Sequence, residues 1–120
     1  MAQSMRMKLF HFPWSRSTRA QWMLEEVDAS HELIHINLFA GEQNTPEQLR
    51  RHPKGAVPVL VDGDVTIFES GAICAYLSDK FPEKNLAPKA DDLQRAYYYQ
   101  WMFYAAATID PAAVDLFVQR

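Results

Sequence analysis

The strongest constraint on the fold is the segment GAVPVLVDGDVTIFESGAICAYL, residues 55–77. Its two runs of β-branched and aromatic residues, 57–61 and 65–68, flank an Asp-Gly step, which is typical of a β-hairpin. The second run leads almost directly into a helical pattern that begins at Ser70, which can cap that helix. The segment therefore predicts a hairpin followed at once by a helix.

Pro58 lies inside the first of these runs. Proline has no N–H to donate to a sheet ladder, so in sheets it is confined to edges, to the first residues of a strand or to bulges. It also accepts a cis peptide bond far more readily than any other residue. The pattern therefore indicates that the main-chain groups of Val57 serve a partner other than the sheet.

The first half of the chain alternates strand and helix patterns. Residues 7–12 and 31–38 alternate apolar and polar side chains, as strands do. Between these strands, apolar residues recur at helical spacing: Ala20, Met23, Leu24 and Val27. Ser15 or Ser17 is the expected N-cap of this first helix.

A short second helix is predicted to begin at Thr45. Thr45 can cap it, Pro46 fits its first turn, and Gln48 would complete a capping box. Pro53 ends it soon afterwards. The predicted order is β-α-β-α-β-β-α, with a right-handed βαβ unit followed by a hairpin and a helix.

The remaining sequence predicts a change of architecture. Residues 82–90 contain two prolines and no periodicity, which indicates a linker between a domain of residues 1–81 and a helical segment of residues 91–120. That segment is apolar on most sides and needs a cover. Pro111 should kink or break it, with a second piece from Ala112. We expect either the front portion of a longer protein or partner subunits that cover the helix.

Composition excludes several classes of partner. A net charge of −3 and a pI of about 5.7, without a basic run, argue against nucleic acid and acidic membrane surfaces. Cys74 is the single cysteine, which favours a reducing, cytoplasmic setting. The four histidines have no metal-ligand spacing, so no metal site is predicted. We expect neither a signal peptide nor a segment that reaches a membrane span.

The order of elements, with a proline opening the third strand, resembles a thioredoxin-like fold. The run HPKGAVPVLVDGDVTIFESGAICAYLSDKFP, followed by a linker and a long helix, closely resembles the N-terminal domain of soluble glutathione transferases. The likeness covers residues 7–118. It implies an α/β domain followed by the start of an all-helical domain. It also implies a cis Val57-Pro58 bond, with the backbone of Val57 paired to the cysteinyl part of glutathione.

The same resemblance gives Glu69 and Ser70 opposite roles at the γ-glutamyl end of glutathione. A helix N-terminus at Ser70 would bind the carboxylate through backbone N–H groups, and Glu69 would pair with the ammonium. The alternative is that Ser70 is only a helix cap and Glu69 only a first-turn acid. Lys54 is a further candidate, either attracting the anionic tripeptide or facing solvent in its loop.

The glutathione thiol must also be ionised, and a hydroxyl at a helix N-terminus can contribute. Lowering a thiol pKa by about two units takes roughly 2.7 kcal/mol. In related serine-type enzymes, the catalytic serine lies four positions before an arginine of the first helix. Ser15 has this spacing from Arg19, and Ser17 is the rival. Tyrosine and cysteine are both absent from residues 1–30, so other activating groups are not matched.

These residues together resemble a bacterial-type serine glutathione transferase. The resemblance implies an enzyme that joins glutathione, as co-substrate, to a small electrophile and that forms a homodimer. A non-catalytic docking module of the same fold remains an alternative. So does a glutathione-dependent isomerase, peroxidase or dehalogenase, because each would keep the same glutathione site. A thioredoxin-type redox protein is not matched, since no C-x-x-C motif follows the first strand.

Overall fold

The computed structural model describes residues 6–118, and the chain divides between Lys84 and Asn85 into two compact units. The expectation about a signal peptide rests in part on residues 1–5, which lie outside the described residues. The last two positions of the predicted helical segment, 119–120, also lie outside them.

The first unit is a four-stranded mixed sheet with helices, in the spatial order β2-β1-β3-β4. Its strands are β1 (Met7–His11), β2 (His31–His35), β3 (Val59–Asp62) and β4 (Val65–Phe68). Its helices are α1 (Ser17–Glu26), α2 (Pro46–Arg51) and α3 (Ser70–Lys80), with short 3₁₀ turns at Glu42–Asn44 and Pro82–Lys84. β1 and β2 are parallel, and β3 is antiparallel to both β1 and β4. The predicted order of elements and the hairpin are confirmed.

The core lies on both faces of the sheet because successive residues of β1 point in opposite directions. On one face, Leu9 packs with the apolar sides of α1 and α3 in a buried cluster completed by Met7, Ala20, Leu24, Leu60, Ile73 and Leu77. On the other face, Phe10 packs with Ile36 and Val59. The predicted apolar stripe of α1 is confirmed, since Ala20, Leu24 and Val27 are buried.

Three predicted strand ends differ from the structure. β1 ends at His11, β3 begins only at Val59, and β2 ends at His35, whereas the alternation predicted a strand to residue 38. The cause in β2 is a polar turn at Asn37, whose Oδ1 accepts from the N–H groups of Phe39 and Ala40. Asn side chains commonly form such local turns, and these compete with sheet pairing.

The capping prediction is correct at Thr45, whereas the other four candidates, Ser15, Ser17, Gln48 and Ser70, do not have the predicted capping roles. Thr45 Oγ1 accepts from the N–H of Gln48 at 3.2 Å, as predicted, but Gln48 does not complete a capping box. Its side chain instead donates to Ala56 O at 2.7 Å and accepts from Arg51. The N-cap position of α1 is Arg16 rather than Ser15 or Ser17, although Ser15 Oγ accepts from the N–H of Ser17 at 3.2 Å, and the N-cap of α3 is Glu69 rather than Ser70. Neither N-cap side chain makes a capping hydrogen bond.

The second unit is helical from Gln94 to Val118, in α4 (Gln94–Tyr104), a π-helical segment (Ala105–Ile109) and α5 (Asp110–Val118). Pro111 therefore does not break the chain into a new helix at Ala112. Proline in a regular helix clashes with the carbonyl four residues earlier, and the wider π turn just before it removes that conflict.

The expectation that no segment is long and apolar enough to span a membrane is wrong, judged by length and composition alone. Within the described residues, the helix Gln94–Val118 is long and apolar enough, and none of its most apolar window is buried. Apolar side chains along it, including Trp101, Phe103 and Phe117, are exposed. Core helices of soluble proteins can have the same length and composition, but their apolar side chains are mostly buried.

Candidate functional site

The sheet register brings three sequence-predicted segments to one edge of the first unit. Phe10 of β1 pairs with Val59 of β3, and Val59 pairs with Phe68 of β4. The end of β1, the start of β3 and the end of β4 therefore lie side by side. Ser15 follows the first of these, Val57-Pro58 precedes the second, and Glu69-Ser70 follows the third.

The Val57-Pro58 peptide bond is cis, as predicted. Pro58 is buried and Val57 half-buried. Neither the N–H nor the C=O of Val57 has a main-chain partner among residues 6–118. An extended peptide could pair with these two groups, because main-chain N–H and C=O groups require partners when they are covered.

The loop before Val57 is held by two close contacts. Fully buried Gln48 donates from Nε2 to Ala56 O at 2.7 Å. Gly55 has φ +66°, and a Cβ built on it would lie 2.1 Å from Gln43 O. Only glycine fits so close an approach, so this contact restricts the backbone conformation of the loop that leads to Val57.

Glu69 occupies an unusual backbone conformation at the start of α3. Its φ is +78° and its ψ is 117°, a region that costs a non-glycine residue free energy. Its carbonyl nevertheless accepts the first helical hydrogen bond, from Ile73 N at 2.9 Å. The Glu69 side chain is exposed, and Ser70 is the first residue of the eleven-residue helix α3. A carboxylate and a helix N-terminus of opposite polarity are thus adjacent.

His52 packs beside this corner, with its ring 4.3 Å from that of Phe68. Burial lowers its pKa, the Glu69 carboxylate opposes that effect, and Lys54 adds to it. His52 Nδ1 accepts from the N–H of Lys54 at 3.1 Å, which fixes the start of the loop. The Lys54 side chain itself is exposed.

Ser15 follows a tight turn in which Trp14 has φ +68°. Ser15 Oγ donates to Phe12 O at 2.6 Å and lies 2.6 Å from Ser17 Oγ. Ser17 is fully buried, whereas Ser15 is half-buried. The two hydroxyls that the sequence offers as rivals therefore touch each other, and of the two Ser15 is the one that borders solvent.

Ser17 Oγ has further partners on the inner side. It lies 2.7 Å from His11 Nδ1, accepts from Phe12 N at 3.1 Å and is 3.0 Å from Phe12 O. His11 is buried, and burial lowers its pKa, with His35 adding to the effect. A lowered pKa favours the neutral imidazole, which carries one ring proton.

Sequence reasoning missed His11, Gln48 and the strain at Glu69. His11 has no metal-ligand spacing, and its contact with Ser17, six residues later, depends on the turn after β1. The pattern at Gln48 indicates a capping box and gives no sign of its bond to Ala56. The positive φ of Glu69 has no local sequence signal, since residues other than glycine rarely adopt it.

Cys74 and metal chemistry lie outside this site. Cys74 Sγ is 3.9 Å from Arg19 O, and burial raises its thiol pKa, so it is a poor nucleophile. Within residues 6–118, no group of three or more His, Cys, Asp or Glu side chains is arranged to hold a metal ion.

The chain resembles proteins of one family along most of its length. Residues 5–79 match the family model described as glutathione S-transferase, N-terminal domain. The chain is 40% identical over 112 residues to glutathione S-transferase 1 of Dianthus caryophyllus, covering 92% of this chain and 50% of that protein. It thus spans about half the length of the curated relatives it matches.

Solved structures give the same result. Poplar glutathione transferase F1 is 36% identical with a TM-score of 0.85, over 93% of this chain and 54% of that one. A glutathione transferase homologue from Sulfitobacter, with bound glutathione, is 28% identical with a TM-score of 0.80, over 90% of this chain and 52% of that one. The predicted thioredoxin-like α/β fold is confirmed.

Proposed function

The chain belongs to the glutathione S-transferase family, and from this premise we propose that it forms the glutathione-binding part of a transferase. The reaction joins the glutathione sulfur to a small electrophile. The observation that carries the proposal is the unpartnered main chain of Val57, which lies at the same sheet edge as the N-terminus of α3. A peptide substrate with a charged amino-acid end fits both features.

The cysteinyl and γ-glutamyl parts of the tripeptide each have a chemical counterpart in this proposal. The cysteinyl N–H and C=O pair with the C=O and N–H of Val57. The γ-glutamyl carboxylate binds the first N–H groups of α3 and the Ser70 hydroxyl, since a helix N-terminus favours anions. The exposed Glu69 carboxylate pairs with the ammonium, and Lys54 attracts the anionic tripeptide from solvent.

Ser15 activates the thiol. Its hydroxyl donates a hydrogen bond to the glutathione sulfur and so favours the thiolate, with the thiol proton released to solvent. The sulfur electron pair then attacks the electrophile. It either displaces the leaving group or adds to a double bond, whose other carbon then takes a proton from solvent. The half-buried position of Ser15 supports this role over fully buried Ser17. The protein is on this account a serine-type member, which we assign to the bacterial-type group on the sequence pattern alone.

The whole protein would be a cytoplasmic homodimer. The lone cysteine favours a reducing compartment, and exposed apolar side chains along α4 and α5 call for a cover. The electrophile would be bound with help from chain beyond the glutathione site. The domain boundaries we propose are residues 1–81, a linker at 82–90 and a helical domain from residue 91.

The experiment that tests the function is retention on immobilised glutathione, followed by a pH titration of bound-thiolate absorbance. The protein should bind and should elute with free glutathione. Ser15→Ala should raise the pKa of the bound thiol by about one to two units, because each unit corresponds to about 1.4 kcal/mol. Measured at a pH below the pKa of the bound thiol, glutathione affinity should change little.

Ser17→Ala is the comparison variant for the same titration, because Ser17 is the rival hydroxyl and contacts Ser15. A shift in Ser17→Ala alone would transfer the activating role to Ser17. No shift in either variant would mean that neither serine activates the thiol. A protein that is not retained by glutathione would overturn the proposed function itself.

A further inference from the structure

We propose that His11 is a positioning residue that directs the Ser15 hydroxyl toward the glutathione sulfur, acting through Ser17. The inference rests on the proposed function, because it assumes that Ser15 serves the thiol. It adds a buried histidine to the thiol-activating group of this chain. The direction of the effect is set by which atoms donate and which accept in three linked side chains.

The chain of contacts is short and continuous. His11 Nδ1 lies 2.7 Å from Ser17 Oγ, and Ser17 Oγ lies 2.6 Å from Ser15 Oγ. The inner two residues are buried, and the outer one is half-buried. Solvent therefore has little access to the inner groups, and the protons must be shared among these partners and the main chain of Phe12.

Two main-chain N–H groups already occupy one acceptor site on each serine hydroxyl oxygen. The N–H of Phe12 donates to Ser17 Oγ at 3.1 Å, and the N–H of Ser17 donates to Ser15 Oγ at 3.2 Å. Each hydroxyl oxygen has two lone pairs, so each keeps a single acceptor site for another donor. Whether His11 Nδ1 carries a proton decides which donor occupies the remaining acceptor site on Ser17 Oγ.

When Nδ1 carries the ring proton, the hydrogen bonds are donated outward, from His11 toward Ser15. His11 donates to Ser17 Oγ and fills its last acceptor site. Ser17 then gives its own proton to Ser15 Oγ, which is closer than Phe12 O at 3.0 Å. Ser15 can no longer donate to Ser17, so its proton goes either to Phe12 O or to the sulfur.

When the ring proton is on Nε2, the hydrogen bonds are donated inward, from Ser15 toward His11. Ser17 then donates to Nδ1, which leaves an acceptor site on Ser17 Oγ for the Ser15 proton. The Ser15 hydroxyl would thus have two inner acceptors, Ser17 Oγ and Phe12 O, each at 2.6 Å. Its donation to the sulfur would be weaker in this state.

Hydrogen bonds donated outward, from His11 through Ser17 to Ser15, stabilise the thiolate. A negatively charged sulfur is a stronger acceptor than a neutral carbonyl, so it can take the Ser15 proton from Phe12 O. Acceptance by Ser15 of two hydrogen bonds also polarises its O–H, because linked hydrogen bonds strengthen one another. The thiolate and the Nδ1–H form of His11 therefore favour each other.

The test combines a direct observation of His11 with variants of the full protein. Nitrogen NMR of the imidazole, in the complex with glutathione, should show a proton on Nδ1. His11→Leu, which removes the donor, should raise the pKa of the bound thiol by about one unit, a tenfold loss of thiolate fraction at a pH well below that pKa. Measured at a pH below the pKa of the bound thiol, glutathione affinity should stay within about twofold, which also shows that the variant is folded.

A double variant separates positioning from structural damage. If His11 acts only through Ser17, then His11→Leu combined with Ser17→Ala should shift the thiol pKa no further than Ser17→Ala alone. Additive shifts would overturn the inference, as would an unprotonated Nδ1 in the complex. If Ser15→Ala shifts the thiol pKa but His11→Leu does not, this inference fails while the proposed function stands. If Ser15→Ala causes no shift, both assignments fail.

Discussion

Glu69 combines a strained backbone with an exposed carboxylate. Such strain persists only where the surrounding structure imposes it, and it is concentrated at functional sites. We expect Glu69→Ala to weaken glutathione binding by about 1.5–3 kcal/mol, the scale of a hydrogen bond to a charged group. Isothermal titration calorimetry with glutathione would measure the change, and the free energy of unfolding should change much less.

Two controls make the Glu69 prediction specific. Glu83→Ala removes another exposed acid of the first unit and should leave binding unaltered. A glutathione analogue without the γ-glutamyl amino group should bind parent and Glu69→Ala equally. If the variant still loses affinity for that analogue, Glu69 does not pair with the ammonium.

At the scale of elements, the loop between α2 and β3 depends on a glycine that no other residue can replace without strain. Gly55 and Gly63 both have positive φ, but a Cβ at Gly55 would lie 2.1 Å from the backbone oxygen of Gln43, whereas one at Gly63 would meet open space. Gly63→Ala should therefore cost about 1 kcal/mol, from backbone conformation alone. Gly55→Ala should cost about 2–4 kcal/mol, because strain and a steric clash add.

Urea unfolding of the two glycine variants would give these free energies. Gly63→Ala is the matched control, because its turn has open space around the new methyl group. We also expect Gly55→Ala to weaken glutathione binding, since the displaced loop leads to Val57. Equal destabilisation by both substitutions would show that the contact with Gln43 is not limiting.

A second element-scale prediction concerns the end of β3. Tyr76 Oη donates to Asp62 Oδ2 at 2.5 Å, and Lys80 binds the same oxygen. Partial burial raises the Asp62 pKa, but the hydrogen bonds from Lys80 and Tyr76 outweigh it, so the pKa is lowered from its ordinary value of 3.8. A lowered folded-state pKa gives stability that is present above the unfolded-state pKa and is lost as pH falls.

Asp62→Asn should therefore be less stable than the parent at pH 7. The difference between their free energies of unfolding should shrink as the pH falls below the ordinary pKa of 3.8 and through the lower folded-state pKa. Urea unfolding at a series of pH values would measure both proteins. A difference that does not depend on pH would show that the carboxylate charge contributes nothing here.

The elements that the sequence predicts well carry strong local signals. The Asp-Gly hairpin, the Thr45 cap and the α1 stripe each follow from residues close together in the chain. The missed features have no recognisable pattern in the sequence. The Gln48 side chain donates to Ala56 O, in a loop beyond its own helix. The π segment before Pro111 avoids a break that helix propensity alone would predict.

The site divides in the same way. Val57-Pro58 and Glu69-Ser70 could be recognised as pairs, because their residue types and spacing form a motif. The cis bond agrees with that motif. The side-chain hydrogen bonds that link His11 to Ser17 and Ser17 to Ser15 could not be deduced, since they depend on the conformation of the turn after β1.

At the scale of the whole molecule, the second unit exposes more apolar surface than an isolated domain tolerates. Trp101, Phe103, Leu116 and Phe117 are each more than half exposed. Large exposed apolar patches mark interfaces or lead to aggregation. The chain spans about half the length of its curated relatives, so further protein, a second copy or a membrane could each cover this surface.

We expect the 120-residue chain to associate in solution, because apolar burial is the strongest force available to this surface. Sedimentation velocity at micromolar concentrations should show species larger than a monomer. Phe103→Lys and Phe117→Lys should shift the distribution toward monomer, whereas Thr66→Lys, which adds the same charge at an exposed site on β4, should not. A well-behaved monomer in the parent would contradict the prediction, and flotation with lipid vesicles would instead indicate a membrane as the cover.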